Sequence, residues 1–217
     1  MPATKNSIII IANGNILNAG CEMLFDVFLS HDNKDYDIVH RVWKVLDRLK
    51  ISAYMYELYP NYGQYLPETI KQVMKQSRYV VVFFTRNGID SQWVNQEVGI
   101  AIGAAGAFQS ITIPILEEGV DCKGFTEHLI HIDYKAYQPD DMISNLLWTL
   151  RQRLNKANAI RQGIRIDCIC GNTTYGELDS LDTIKHLVDI GEKIARYPCP
   201  RCGEENRFDL RTWDPDL

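Results

Sequence analysis

The sequence predicts an α/β fold, a doubly wound, five-stranded parallel sheet with a small C-terminal unit organised by cysteines. Three observations lead there. Strand-sized apolar runs alternate five times with segments of helical spacing between residues 24 and 157, and an alternation of that length requires crossover helices covering both faces of a parallel sheet. The run 79–85 is β-branched or aromatic almost throughout, as a strand buried on both faces must be. Beyond residue 167, four of the six cysteines fall in two close pairs, a metal-like pattern rather than a disulfide framework.

Residues 1–23 form an N-terminal extension in which apolar segments flank Asn13-Gly14-Asn15, so a hairpin or an extra edge strand is expected. A lipoprotein-type leader ending at Cys21 would need a longer unbroken apolar core. Residues 25–29 read as a buried strand, and Ile38, Val42, Val45, Leu46 and Leu49 follow at helical spacing. A second strand over 51–56 leads into a Gly- and Pro-containing loop at 58–66, after which Pro67 suits the first turn of a helix carrying Ile70, Val73 and Met74. The strand 79–85 passes through a polar turn into a small-residue-rich helix over 93–108. Strands over 111–116 and 130–134, joined by a loop or short helix, and a closing helix from Pro139 to about Lys156 complete the five βα units. Pro114 cannot donate to a ladder and is expected near a strand end or bulge. The default winding is the flavodoxin-like order 2-1-3-4-5. It sets strands 1 and 3 side by side where the winding reverses, so the loops after Leu29 and Thr85 open into one crevice.

A chain of 217 residues can bury one good core and carry an annex, so the expected organisation is an extension at 1–23, a domain at 24–157 and a four-cysteine unit at 158–217. The formal net charge of −5 argues against a surface that is basic throughout and leaves room only for a local patch. One such patch exists, Arg151, Arg153, Lys156, Arg161 and Arg165 without an intervening acid; a solvated helix end and linker explains it better than a nucleic-acid contact. The apolar runs are strand-sized, so no membrane span is expected. Isolated Cys21 and Cys122 fit a reducing, cytoplasmic setting.

The most informative stretch for function is 91–97. Trp93 and Glu97 are four residues apart, neighbours on a helix, and follow a central strand at the sheet's ligand-binding end. A lone Glu is usually solvated and a Trp one turn earlier is usually core. The surrounding segments decide otherwise. Taken with 25–31, with 54–57 and 63–66, and with 77–85, the run 91–97 closely resembles the Toll/interleukin-1 receptor (TIR) domain family, in the right order across roughly residues 24–157.

The resemblance implies an enzyme that cleaves the nicotinamide–ribose bond of NAD+, with Glu97 as the catalytic group. It further implies substrate contacts from Ser30, His31 and Asp32 after strand 1, from Asn61 in the 58–66 loop, and from Trp93. Similar domains use that loop for ligand access and self-association. The family often carries Asp at the end of strand 2, where this chain has Tyr56, so contacts on that side do not carry over. The products would be nicotinamide with ADP-ribose if water attacks, or a cyclic ADP-ribose isomer if a group of the same molecule does; the residues do not choose. Resemblance to prokaryotic stand-alone members implies antiviral defence or stress signalling, with a downstream effector or sensor. Two other readings stay open, a non-enzymatic adaptor acting through domain contacts and a nucleic-acid sensor acting through the annex. No glycine-rich dinucleotide loop follows strand 1, which disfavours hydride transfer.

Cys168-Ile-Cys170 and Cys199-Pro-Arg-Cys202 are expected to bind one structural Zn2+ through four thiolates, since a site filled by protein leaves no position for chemistry. A Gly follows each pair, Gly171 and Gly203, letting the chain turn tightly around the sulfurs. The fragment resembles a zinc ribbon, interrupted by a helix expected over 181–195.

Overall fold

The computed structural model describes residues 23–59, 66–89, 91, 94, 99, 110–121, 130–156 and 163–216. Five strands, β1 (Phe25–Ser30), β2 (Ala53–Tyr54), β3 (Ser77–Phe84), β4 (Ile111–Glu117) and β5 (Ile132–Tyr134), form one sheet in the order β2-β1-β3-β4-β5. Every pairing is parallel. The expected winding is therefore the observed one.

Period-2 alternation divides the sheet's side chains between two cores. Val27, Leu29, Val81, Phe83, Ile113 and Ile115 face one side, packing with α1 (Tyr36–Arg48) and α3 (Pro139–Lys156). Phe28, Tyr54, Val80, Val82 and Phe84 face the other, with Ile70 and Met74 of α2 (Leu66–Lys75) and with Val94. β1 and β3 are central and apolar on both faces because helices cover both.

Several elements differ from expectation. Strand 2 is shorter than 51–56: only Ala53 and Tyr54 pair with β1, at Val27 and Phe28, and residues 56–58 turn into a 3-10 helix. β1 itself continues to Ser30, so the pairing ends because the chain leaves the sheet after Tyr54 to form that turn. Pro114 lies inside β4 opposite Val82, not at an end or a bulge. The proline is tolerated because β5 pairs with β4 only from Ile115 onward, leaving one flank of residue 114 without a ladder. The extension at 1–22, most of the helix expected over 93–108, the loop residues 60–65 and the connection 122–129 lie outside the described residues. Among those described, no helix is long and apolar enough to cross a membrane.

Beyond α3 come two antiparallel hairpins, β6 (Ile164–Asp167) with β7 (Thr173–Gly176) and β8 (Ile194–Pro198) with β9 (Glu205–Asp209), separated by α4 (Leu181–Asp189). The helix expected over 181–195 stops at Asp189. Gly191, at φ +90°, donates its N–H to the Val188 carbonyl while Glu192 donates to that of Leu187, a Schellman motif that ends the helix and frees Ile194 and Ala195 for β8. Ser180 caps the other end by accepting from the Thr183 N–H at 3.1 Å.

This C-terminal unit packs on the α1/α3 face. Ile164, Ile166, Leu178, Ile184, Phe208, Leu210 and Trp213 are buried in the same core as Val45, Leu49 and Leu150. Polar ties surround the apolar contact. Arg41 donates to Asp214 at 2.7 and 2.9 Å and to Asp140 at 2.7 Å, and Arg48 donates to the Trp213 carbonyl at 2.7 Å. Two members of the basic run are drawn into the same seam. Arg165 pairs with Asp47 and Asp167, and Arg151, only 4% exposed, donates to the Asp179 carbonyl.

Candidate functional site

The carboxyl ends of β1 and β3 meet as the winding requires, and a polar cluster sits there at the end of an otherwise apolar sheet. Ser30 ends β1 in register with Val82. His31 follows, its side chain 3% exposed, with Nδ1 3.3 Å from the Leu29 carbonyl and Nε2 3.2 Å from Glu57 Oε1. Asp32 caps the next turn by accepting from the Lys34 N–H at 3.0 Å. Asp35, buried, receives the Thr85 hydroxyl at 2.5 Å and the Asn87 amide at 2.7 Å, tying the loop after β1 to the loop after β3. Thr85 Oγ1 in turn accepts the Gly88 N–H at 2.9 Å, which starts the turn toward residue 91.

Burial opposes ionisation of Glu57, yet hydrogen bonding and charge attraction from His31 outweigh it and hold its carboxyl below the ordinary value of 4.5. Ser30 Oγ and Glu57 Oε2 are buried and hydrogen-bond to no other described residue. Native interiors seldom leave such atoms without a partner, so this end of the sheet has spare polar capacity.

The second cluster lies at the tips of the two hairpins. The four sulfurs of Cys168, Cys170, Cys199 and Cys202 all fall within 4.8 Å of one another. Cys168 and Cys202 are 3.7 Å apart and Cys170 and Cys199 3.8 Å. A tetrahedron of sulfurs about 2.3 Å from a central Zn2+ has edges of about 3.8 Å, whereas a disulfide would need about 2.05 Å. The donor set therefore fits a metal ion. Each tip closes through a glycine in the left-handed region, Gly171 (φ +77°) and Gly203 (φ +79°), whose N–H groups donate to the carbonyls of Cys168 and Cys199, each at 2.9 Å. N–H groups of Cys202 and Arg201 hold the Cys199 thiol down to about 6. At Cys202 the N–H of Glu204 also favours the thiolate, but the neighbouring sulfurs of Cys170, Cys168 and Cys199 outweigh it and push the thiol up to about 12. A dication among them would relieve that repulsion.

A family model described as the TIR domain matches residues 27–147. The chain belongs to the TIR domain family. A curated relative, named putative cyclic ADP-D-ribose synthase TIR2, from Cytobacillus dafuensis, is 27% identical over 95 residues, 41% of this chain and 24% of that protein. The chain thus spans about a quarter of that relative's length. Among solved structures, the TIR domain of the Toll-related receptor TRR-2 of Hydra magnipapillata superposes with a TM-score of 0.50 at 17% identity, covering 58% of this chain and 98% of that one. A metazoan TIR-STING receptor from C. gigas, solved with 2',3'-cGAMP, gives a TM-score of 0.47 at 12% identity over 89% of this chain and 75% of that one.

Of the residues singled out in the sequence, Ser30, His31 and Asp32 lie together at the carboxyl end of β1 and the four cysteines lie together at the hairpin tips. Asn61, Trp93 and Glu97 lie outside the described residues; Val94 between the latter two is buried among Phe28, Tyr54 and Val82. Sequence reasoning missed Asp35, Glu57, Thr85 and Asn87. Two signals could have found them: a Thr ending an apolar strand, and Glu57 standing next to Tyr56, the position where similar domains often carry an acid.

Proposed function

We propose that this TIR domain cleaves the nicotinamide–ribose bond of NAD+, with Glu97 as the catalytic group and Ser30, His31, Asp32, Asn61 and Trp93 around the substrate. The observation that carries the reading is the buried polar cluster at the carboxyl ends of β1 and β3, where Ser30 Oγ and Glu57 Oε2 have hydrogen-bonding capacity left over. The name of the curated relative, a putative cyclic ADP-D-ribose synthase, supports it. The chemistry asks little of the protein. Nicotinamide in NAD+ is a cationic pyridinium and leaves as a neutral molecule, so no general acid is required. A single carboxylate in a partly dry crevice then stabilises the oxocarbenium-like charge that grows on the ribose. Trp93 walls the site, and His31, anchored by Glu57, shapes it and hydrogen-bonds rather than delivering a proton.

The four thiolates hold one structural Zn2+, which fastens the two hairpins. TIR domains of this chain self-associate, and the activity serves a cytoplasmic defence or stress-signalling pathway whose product passes to an effector.

The test is chromatographic: purified wild type and Glu97→Ala are incubated with NAD+, and nicotinamide, ADP-ribose and cyclic products are resolved. Wild type is expected to release nicotinamide and the variant none. If wild type is also inert under crowding that favours assembly, the domain is an adaptor.

A further inference from the structure

A cavity of about 320 Å³ lies between α3 and the C-terminal unit, within the size range of small-molecule sites. No residue of the proposed NAD+ crevice lines it. Its floor is apolar: Ile184 of α4, Leu210 and Trp213 are buried. Trp148 of α3, half-buried, forms a wall. Three cations complete it, Arg151 at depth, Lys185 at the exposed mouth and Arg211 at the rim.

The electrostatics of this cavity are one-sided. No carboxylate is among the described residues that line it. Arg151, 4% exposed, is permanently charged, yet the hydrogen bond it makes in the described structure is to a neutral carbonyl, that of Asp179, at 3.0 Å, and no described carboxylate comes within ion-pair distance of it. Burial pushes its pKa down, with Tyr197 and Asp179 only partly offsetting. Lys185 makes no ion pair with a described residue, while Arg211, at the rim, is held by Asp141. A buried guanidinium without a counter-charge is costly unless an anion reaches it. The floor is unusual as well. Trp213 sits at φ +58°, a conformation that is an outlier for a bulky side chain. It is kept there by its N–H donating to the Asp209 carbonyl at 2.8 Å and by Arg48 donating to its own carbonyl at 2.7 Å. Backbone strain of this kind persists where the surroundings over-determine it, and it clusters at ligand sites.

We propose that this cavity binds a planar organic anion of mononucleotide size, its ring against the indole of Trp148 and its phosphate between Arg151 and Lys185. Aromatic stacking supplies the ring's affinity, and the guanidinium offers the paired donors that suit a phosphate. Such a ligand bridges α3 of the TIR domain to α4 and the C-terminal turn.

Full-length protein is titrated calorimetrically with AMP, adenosine and inorganic phosphate, using wild type, Lys185→Ala and Trp148→Leu. AMP is expected to bind one site per chain more tightly than either fragment and to raise Tm by about 3–6 °C at a tenfold excess over Kd. Lys185→Ala, at an exposed position, weakens AMP about fivefold and Trp148→Leu about tenfold, as expected for one charge contact and one stacking contact. Four results overturn the proposal: no AMP binding up to about 5 mM, the weak end of ligand affinity; adenosine binding as well as AMP; phosphate binding as well as AMP; or AMP affinity indifferent to both substitutions, which would put the nucleotide in the NAD+ crevice instead. Nicotinamide release by the Lys185→Ala variant, run alongside, separates failure of this site from failure of the NAD+ reading, because Lys185 takes no part in that crevice.

Discussion

Asp35 is the residue on which the crevice's shape depends. Its carboxylate accepts from Thr85 at 2.5 Å and Asn87 at 2.7 Å, so it joins the loops after β1 and β3 by the charge-assisted bonds that are stronger than neutral ones. Replacing it with Ala leaves a buried hydroxyl without its acceptor. Asp35→Ala should cost about 2–3 kcal/mol, read as a lower urea midpoint with an unchanged m-value, and, on the proposed function, should weaken NAD+ binding through the displaced loop. His31 and Glu57 make a second tie whose pH dependence has a definite sign. The folded-state pKa of Glu57 lies below the ordinary 4.5, so the unfolded chain binds more protons in the window beneath 4.5. Stability contributed by this group is present above that window and falls as the pH drops through the folded value. Thermal melts of wild type and Glu57→Gln between pH 3 and 6 should therefore converge toward the acid end.

At the scale of elements, the ends matter more than the middles. β2 is two residues long, and the chain it releases turns at once to bring Glu57 under His31. α4 ends where Gly191 adopts φ +90°, and only that stop leaves residues 194–198 free to pair with β9. A side chain there would meet no other atom, as nothing lies within 4 Å of the Cβ position, so the cost of substitution is purely conformational. Gly191→Ala should destabilise by about 1 kcal/mol without loss of metal, which a denaturant titration paired with a zinc assay would show. A helix extended through residue 195 in that variant would instead unmake β8 and release the ion.

For the whole molecule, the decisive feature is that the cysteine unit does not stand apart. Phe208, Leu210 and Trp213 are buried with residues of α1 and α3, and Arg41, Arg48 and Arg165 cross the same seam. Hairpins of this size bury too little apolar surface to persist on their own, and at the proposed four-thiolate site a metal ion would hold them together. Stripping Zn2+ should thus expose one flank of the TIR core, and the chain should melt in a single transition shifted downward. A loss of about 3 kcal/mol, a fraction of the roughly 10–16 kcal/mol that a structural zinc can supply, moves Tm by about 6–12 °C. Two separated transitions by calorimetry, the upper one unchanged by chelator, would mean that the TIR domain folds independently of the hairpins.

The sheet, its winding, the meeting of the β1 and β3 carboxyl ends and the gathering of the four cysteines were legible in the linear chain, because each depends on local pattern: apolar period, strand and helix alternation, and cysteine spacing. Strand 1 and the helix after it, for instance, announce themselves through Phe25, Val27, Leu29 and the spacing of Val42, Val45 and Leu49. Asp35, Thr85 and Asn87 carry no such pattern. They are 50 and 52 residues apart in the chain, and only the parallel pairing of β1 with β3 makes them partners. Arg151 is similar: in the sequence it belongs to a basic run suited to solvent, and in the fold it is buried beside α4. Periodicity is a property of neighbours along the chain and can be read from it. Which distant polar groups share a buried space is set by how elements pack, and only the tertiary structure decided that.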